Sequence, residues 1–114
     1  MLFRSLIPSL YEPCGLTQMI ALRYGTVPVA RETGGLKDTV FDVDYSGHDA
    51  AHVNGFTFRD PNPAGVDSAL LRAIRRWFDD PAAFNRLAMN GMRYDHSWRG
   101  PATDYENIYN FIRV

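Results

Sequence analysis

Apolar residues follow two patterns along this chain, short dense runs in its first half and long spaced stripes in its second. Residues 2–7 are an apolar run interrupted by Arg4 and Ser5 and stopped by Pro8, the signature of a short buried strand. A loop over 9–13 follows. Leu16, Met19, Ile20 and Arg23 then recur on neighbouring turns before Gly25, which predicts a helix over 16–24. Residues 26–30 (TVPVA) read as a strand, with Pro28 where no backbone donor is needed. A loop at 33–35 and a short helical turn over 36–40 come next. Residues 42–55 are polar and aperiodic, as expected of a surface loop. After the Asn54-Gly55 turn, 56–58 alternates as a short strand, and 59–65 is a Pro/Asn linker.

The second half predicts three helices. Val66, Ala69, Leu70, Ala73, Ile74 and Trp77 share one face. Asp79 and Asp80 end that helix, and Asp80-Pro81 starts the next as N-cap and first helical residue. Phe84, Leu87, Ala88 and Met92 give its face, weakened by Asn90-Gly91. Ser97 is placed to cap a last helix carrying Trp98, Tyr105, Ile108, Tyr109 and Ile112. The order amounts to half of an α/β domain with a helical tail, residues 1–65 and 66–114 being two parts of one domain.

Composition narrows the function classes. A chain of 114 residues bounds to one domain or a piece of one, and 46% hydrophobic residues support a modest core. A net charge of -1 gives no reason to expect a nucleic-acid partner. One cysteine excludes an internal disulfide and a cysteine metal cluster. No apolar run reaches 18 residues, so no membrane span is expected. The stretch MLFRSLIPSL is broken by Pro8 and lacks a cleavage site, unlike a signal peptide.

The candidate chemistry lies in YEPCGLTQ, residues 11–18, and in Thr33, Gly34 and Gly35. Both stretches follow strands, at the ends where open α/β sheets bind ligands. With a helix starting near Gly15, the N–H groups of Gly15, Leu16 and Thr17 lack intrahelical partners and suit phosphate or sugar oxygens. Gly15 allows close backbone approach. Glu12 accepts hydrogen bonds and so suits sugar or ribose hydroxyls, with Thr17 and Gln18 adding polar contacts. The paired glycines offer a second nest of N–H groups.

Singly, each feature has an ordinary reading: a glycine after a strand, a solvated glutamate, a cysteine acting as a small hydrophobe. No histidine lies near Cys14 in sequence to serve as its base. His48 and His52 stand i, i+4 without a third ligand, so no metal is expected. His96 reads as a helix-boundary residue. Trp77, Phe78, Tyr105 and Tyr109 read as packing groups, and Arg75 and Arg76 as surface residues.

Together the blocks are more specific. Residues 6–44, LIPSLYEPCGLTQMIALRYGTVPVARETGGLKDTVFDVD, closely resemble the C-terminal nucleotide-binding domain of starch and glycogen synthases. These are retaining glucosyltransferases of the two-domain GT-B fold. The DVDYSGHD loop, NGFTF and the tail with Trp98, Tyr105 and Tyr109 resemble plant soluble starch synthases of types III and IV. The resemblance implies a Rossmann-like region and transfer of glucose from ADP-glucose to the non-reducing end of an α-1,4-glucan, in a plastid.

Carried onto this chain, Glu12 matches the carboxylate that contacts the donor, the candidate catalytic residue. Cys14, Gly15 and Leu16 match the segment against the transferred glucose and its phosphates. Thr17 matches a position beside the phosphates or ribose, Gln18 belongs to the motif, and Gly34 and Gly35 match the glycine pair of the second loop. Tyr11 matches a residue packing near the base. Ile20 stands where other branches carry a second glutamate, which fits the starch and glycogen synthase branch. The resemblance implies no metal and no cofactor, ADP-glucose being the donor substrate. The family's phosphate-binding arginine and lysine and its acceptor-binding N-terminal domain have no counterpart in these 114 residues. The expectation is therefore a C-terminal fragment, inactive alone, or a non-catalytic nucleotide-binding or interaction module. The first strand is expected to lack parallel neighbours. The face bearing Tyr105, Tyr109 and Ile112 is expected to lack the other domain, to which the family's final helix crosses.

Overall fold

The dense apolar runs become a parallel sheet and the spaced stripes become helices. The structure, a computed structural model, describes residues 4–113. Strands β1 (Arg4–Ile7), β2 (Val27–Arg31) and β3 (Phe56–Phe58) pair in parallel in the order β1-β2-β3. Leu6 lies opposite Val29, and Val29 opposite Phe56. Residues 2 and 3 of the expected first strand lie outside the described residues. Helices are α1 (Thr17–Arg23), α2 (Gly34–Thr39), α3 (Pro63–Asp79), α4 (Pro81–Arg93) and α5 (Arg99–Ile112). This is the expected α/β class, a parallel sheet flanked by helices.

Alternation along β2 divides the core. Val27 and Val29 face one way and pack with Phe56, Phe58, Ala69, Ala73, Phe84 and Leu87. Ala30 faces the other way and packs with Ile7, Leu36 and Val40. Phe84 sits 5.1 Å edge-on to Trp77 and 6.5 Å from the Phe56 ring. The expected face of α3 is the buried one, with Ala69 and Ala73 fully covered.

Capping fixes two helix starts. Asn62 accepts from the Gly65 N–H at 2.8 Å, starting α3 three residues before the apolar stripe and shortening the expected linker. Asp80 accepts from the Ala83 N–H at 3.0 Å, with Pro81 next, as expected. Helix α4 runs through Gly91, where a Cβ would lie 2.6 Å from Leu22 Cδ2. The glycine that weakens the local propensity is what lets α1 and α4 approach.

Three expectations change. Leu16, the N-cap of α1, and Ile20 are exposed, whereas Gln18 and Leu22 are buried. Spacing identified a helix, but the face it chose is not the one that packs on α4. The segment 42–55 has no helix or strand, yet Asp42, Val53 and Asn54 in it are buried. Trp98, not Ser97, is the N-cap of α5, though Ser97 Oγ accepts from the Arg99 N–H at 3.3 Å.

Asp42 is buried because it closes the outer edge of β3. Asp42 bridges to Gly55, and the Val43 N–H donates to the Gly55 carbonyl. The N–H and C=O of Thr57 face away from β2. Asp42 Oδ2 accepts from that N–H at 2.5 Å, and Arg72 Nη2 donates to that carbonyl at 2.9 Å. Arg72 also grips both Asp42 oxygens at 3.0 Å. The ion pair thus stands where a neighbouring strand's backbone would, removing an open edge. Burial alone would raise the Asp42 carboxyl; Arg72 and the Thr57 and Asp44 N–H groups outweigh it and hold it below the usual carboxylate range. Arg76, expected only at the surface, pairs with Asp44 at 2.9 Å.

The other margins are bare. β1 has β2 as its one neighbour among the described residues. Helix α5 buries no side chain and packs on no other described helix or strand. It projects from the body, and the molecule measures 56 × 30 × 26 Å.

Candidate functional site

Parallel pairing puts the C-terminal ends of β1 and β2 side by side, so the two candidate loops meet. The Gly35 N–H donates to the carbonyls of Glu12 at 2.9 Å and Pro13 at 3.2 Å. A Cβ on Gly34 would lie 1.9 Å from the Glu12 oxygen, and one on Gly35 2.0 Å from the Cys14 oxygen. The loops therefore pack backbone on backbone, which requires both glycines; Gly34 also has φ +47. These glycines form the first turn of α2 rather than a loop before it.

Arg31 at the end of β2 ties this edge together. Its Nη1 donates to the Leu10 carbonyl, and its Nε donates to the Arg59 carbonyl at 3.0 Å. A guanidinium is thus spent on loop carbonyls from either neighbouring strand.

Around this seam the candidate residues divide. Tyr11, Cys14, Leu16 and Thr17 are exposed, with Tyr11 at 70% and Leu16 at 67%. Glu12 is half-buried and accepts from Ser9 Oγ at 3.2 Å. Among the described residues, the N–H groups of Gly15, Leu16, Thr17 and Gly34 have no hydrogen-bond partner. Helix α1 is only seven residues long, so its dipole adds little beside these discrete donors. Gly15 has φ +75, and a Cβ there would meet Gln18 Oε1 at 2.5 Å.

Gln18 stands apart, fully buried. Its Nε2 lies 2.9 Å from both the Cys14 and Gly15 carbonyls and 3.1 Å from Thr39 Oγ1. Its Oε1 is buried without a protein partner among the described residues. It braces the first loop from beneath. Thr39 and Asn54 complete this support; the sequence marks Asn54 only as part of a turn, and Thr39, after Lys37 and Asp38, carries no local signal.

The candidate residues form an open face. A cleft of about 500 Å³ lies elsewhere, along the outer edge of β3 between Tyr45, Arg72 and the start of α3. The Tyr45 ring covers the Arg72 guanidinium at 4.7 Å, and Glu32 is bound to Arg59 at 2.6 Å, so that cleft's charges are largely paired. Unpaired donors, glycine-dependent backbone contact and a carboxylate coincide at the β1–β2 seam instead. His48 and His52 do not join it: His48 packs on Phe41 at 4.3 Å, and His52 contacts Asp49. His96 packs on Tyr94 at 4.6 Å in the turn before α5.

A parallel α/β layer with N–H-rich loops at its strand ends is the architecture of a Rossmann-like, GT-B nucleotide-binding domain. No family model matches the chain. Relatives and solved structures do. Glycogen synthase 1 of Nitrosococcus oceani is 54% identical over 108 residues, 95% of this chain and 22% of that protein. Glycogen synthase 2 of Methylococcus capsulatus is 54% identical over 107 residues, 94% of this chain and 22% of that protein. The catalytic domain of starch synthase IV from Arabidopsis thaliana, solved with ADP and acarbose, superposes with a TM-score of 0.84 at 48% identity, covering 92% of this chain and 21% of that one. These matches place the chain in the GT-B glycogen and starch synthase family. It spans about a fifth of the length of the relatives it matches, 22% in the two bacterial cases.

Proposed function

We propose that the β1–β2 seam is one wall of an ADP-glucose cleft, and that the whole protein is a retaining glucosyltransferase extending α-1,4-glucans from their non-reducing ends. The observation that carries this reading is the seam itself: two glycine-dependent loops in backbone contact, with free N–H groups beside the Glu12 carboxylate. The solved relative bound to ADP and acarbose supports the ligand class. In this reading Glu12 accepts from hydroxyls of the donor glucose. The N–H groups of Gly15, Leu16 and Thr17 donate to the diphosphate, whose charge grows as ADP leaves. One such donor contributes about 3 kcal/mol to a transition state. Cys14 and Leu16 border the glucose, Tyr11 lies against the base, and Gly34 and Gly35 hold the wall's shape.

The finer assignment to the plant soluble type III or IV, with its plastid location, rests on the 42–55 loop, NGFTF and the tail. The bacterial relatives, at 54% identity, are no less similar to the chain. A second reading, a nucleotide-binding or interaction module without transfer, is favoured by the bare face of α5.

An open face supplies neither the acceptor's binding groups nor exclusion of water, so the 114-residue chain alone transfers no glucose in this account. Radiolabelled ADP-glucose incubated with a soluble α-1,4-glucan should leave no label in polymer above background; incorporation would contradict that claim. In a chain of the relatives' full length, Glu12→Gln should lower kcat by about 100-fold, and an unchanged kcat would remove Glu12 from the catalytic role.

A further inference from the structure

We propose that Thr39 is a positioning residue of this site, its hydroxyl setting one nucleotide-binding loop against the other; the inference rests on the donor-cleft reading. The two loops share few direct hydrogen bonds, those of the Gly35 N–H to the Glu12 and Pro13 carbonyls. A second connection runs beneath them. Thr39 Oγ1 donates its one hydrogen to the Gly35 carbonyl at 2.7 Å, so it meets Gln18 Nε2, at 3.1 Å, as an acceptor. Gln18 Nε2 also donates toward the Cys14 and Gly15 carbonyls of the first loop. The path Cys14/Gly15–Gln18–Thr39–Gly35 thus closes a loop-to-loop circuit through one hydroxyl.

A threonine bonding back to the carbonyl four residues earlier in a helix is ordinary by itself. Three further facts set Thr39 apart. Its hydroxyl receives a side chain from another element. Its carbonyl accepts from Asn54 Nδ2 at 3.0 Å, and Asn54 Oδ1 accepts from the Phe41 N–H at 2.8 Å, which fixes the end of α2. Lastly, Gln18 Oε1 has no donor among the described residues. The amide is therefore held only through the three oxygens at its nitrogen, and reversing it would face Oε1 against two carbonyls. Thr39 is the one oxygen of the three that comes from the second loop's helix. Without it, the Gln18 amide loses its link to α2 and the Gly35 carbonyl loses its side-chain donor, at the point where both loops must keep their N–H groups convergent.

The test compares Thr39→Val, which keeps the shape and removes the hydroxyl, with Thr39→Ser, which restores it, in the 114-residue chain. Amide hydrogen exchange at Gly35 should be about tenfold faster in Thr39→Val, return to within about twofold of wild type in Thr39→Ser, and stay unchanged in β2, α3 and α4. Unchanged exchange at Gly35, acceleration equal across the domain, or failure of serine to rescue would each overturn the proposal. If Thr39→Val does not fold, Thr39→Ala replaces it with the same criteria. An ADP titration forms a separate arm: where wild type binds, the valine variant should bind about tenfold more weakly. Wild type without saturable binding would sink the donor-cleft reading, while the exchange contrast would still decide whether Thr39 couples the loops.

Discussion

Helices α3 and α5 both carry regular apolar stripes, yet one is built into the core and the other packs on no other described helix or strand. In α3, Ala69 and Ala73 lie against β2 and β3, and Trp77 meets Phe84 from α4. In α5, Tyr105, Ile108, Tyr109 and Ile112 form the same kind of stripe, and all are exposed. Periodicity states that a helix has an apolar face; it does not state where the partner is. The β3 margin is closed from within the chain by Asp42 and Arg72, whereas β1 and α5 end in apolar surface.

The largest contrast should come from paired aromatic truncations. Phe84→Ala should cost about 4 kcal/mol in denaturant unfolding, whereas Phe111→Ala, at a side chain 89% exposed, should change stability by about 0.5 kcal/mol or less. Similar costs would mean that α5 is packed in solution.

Opening the β3 edge comes next. Arg72→Met leaves Asp42 buried without its cation and should cost about 3 kcal/mol, read by the same unfolding curves. The pH dependence has a definite sign. The Asp42 carboxyl is lowered in the folded state, so the unfolded chain binds more protons in acid and stability declines as the pH is lowered. The stabilisation is fully present above the unfolded value, about 3.9, and is lost as pH falls through the folded one. Asp42→Asn should remove this contribution to the acid limb of a stability–pH curve.

A smaller effect is expected at the seam. Gly35→Ala drives a methyl into the Cys14 carbonyl and should cost about 2 kcal/mol, with the largest amide shifts confined to residues 12–18 and 34–36. Smallest of all, deleting residues 99–114 should leave the melting of the remaining domain nearly unchanged. In the intact chain, amides of α5 should exchange with opening free energies near zero while those of β2 and β3 approach the global value.

Much of this architecture was legible beforehand because the local signals are strong. Asp80-Pro81 encodes a helix start, β-branched residues encode β2, and YEPCG with TGG marks the two loops. What escaped depends on neighbours distant in sequence. Gln18 looked like a ligand contact in a polar motif, yet it is buried, its amide serving two carbonyls of the first loop and the Thr39 hydroxyl of α2. Asp42 and Asn54 looked like solvated loop residues, yet they satisfy backbone groups at Thr57, Phe41 and Thr39. The buried face of α1 was misread because Gly91, 69 residues beyond Leu22, opens the space that Leu22 fills.

The most direct test of the donor-wall account is an ADP titration of the chain followed by backbone amide shifts. The account predicts saturable shifts at Gly15, Leu16, Thr17 and Gly34, weakened by Gly35→Ala and absent from the β3-edge cleft. No saturable shift, or shifts centred on Tyr45, Asn62 and Arg72, would contradict it.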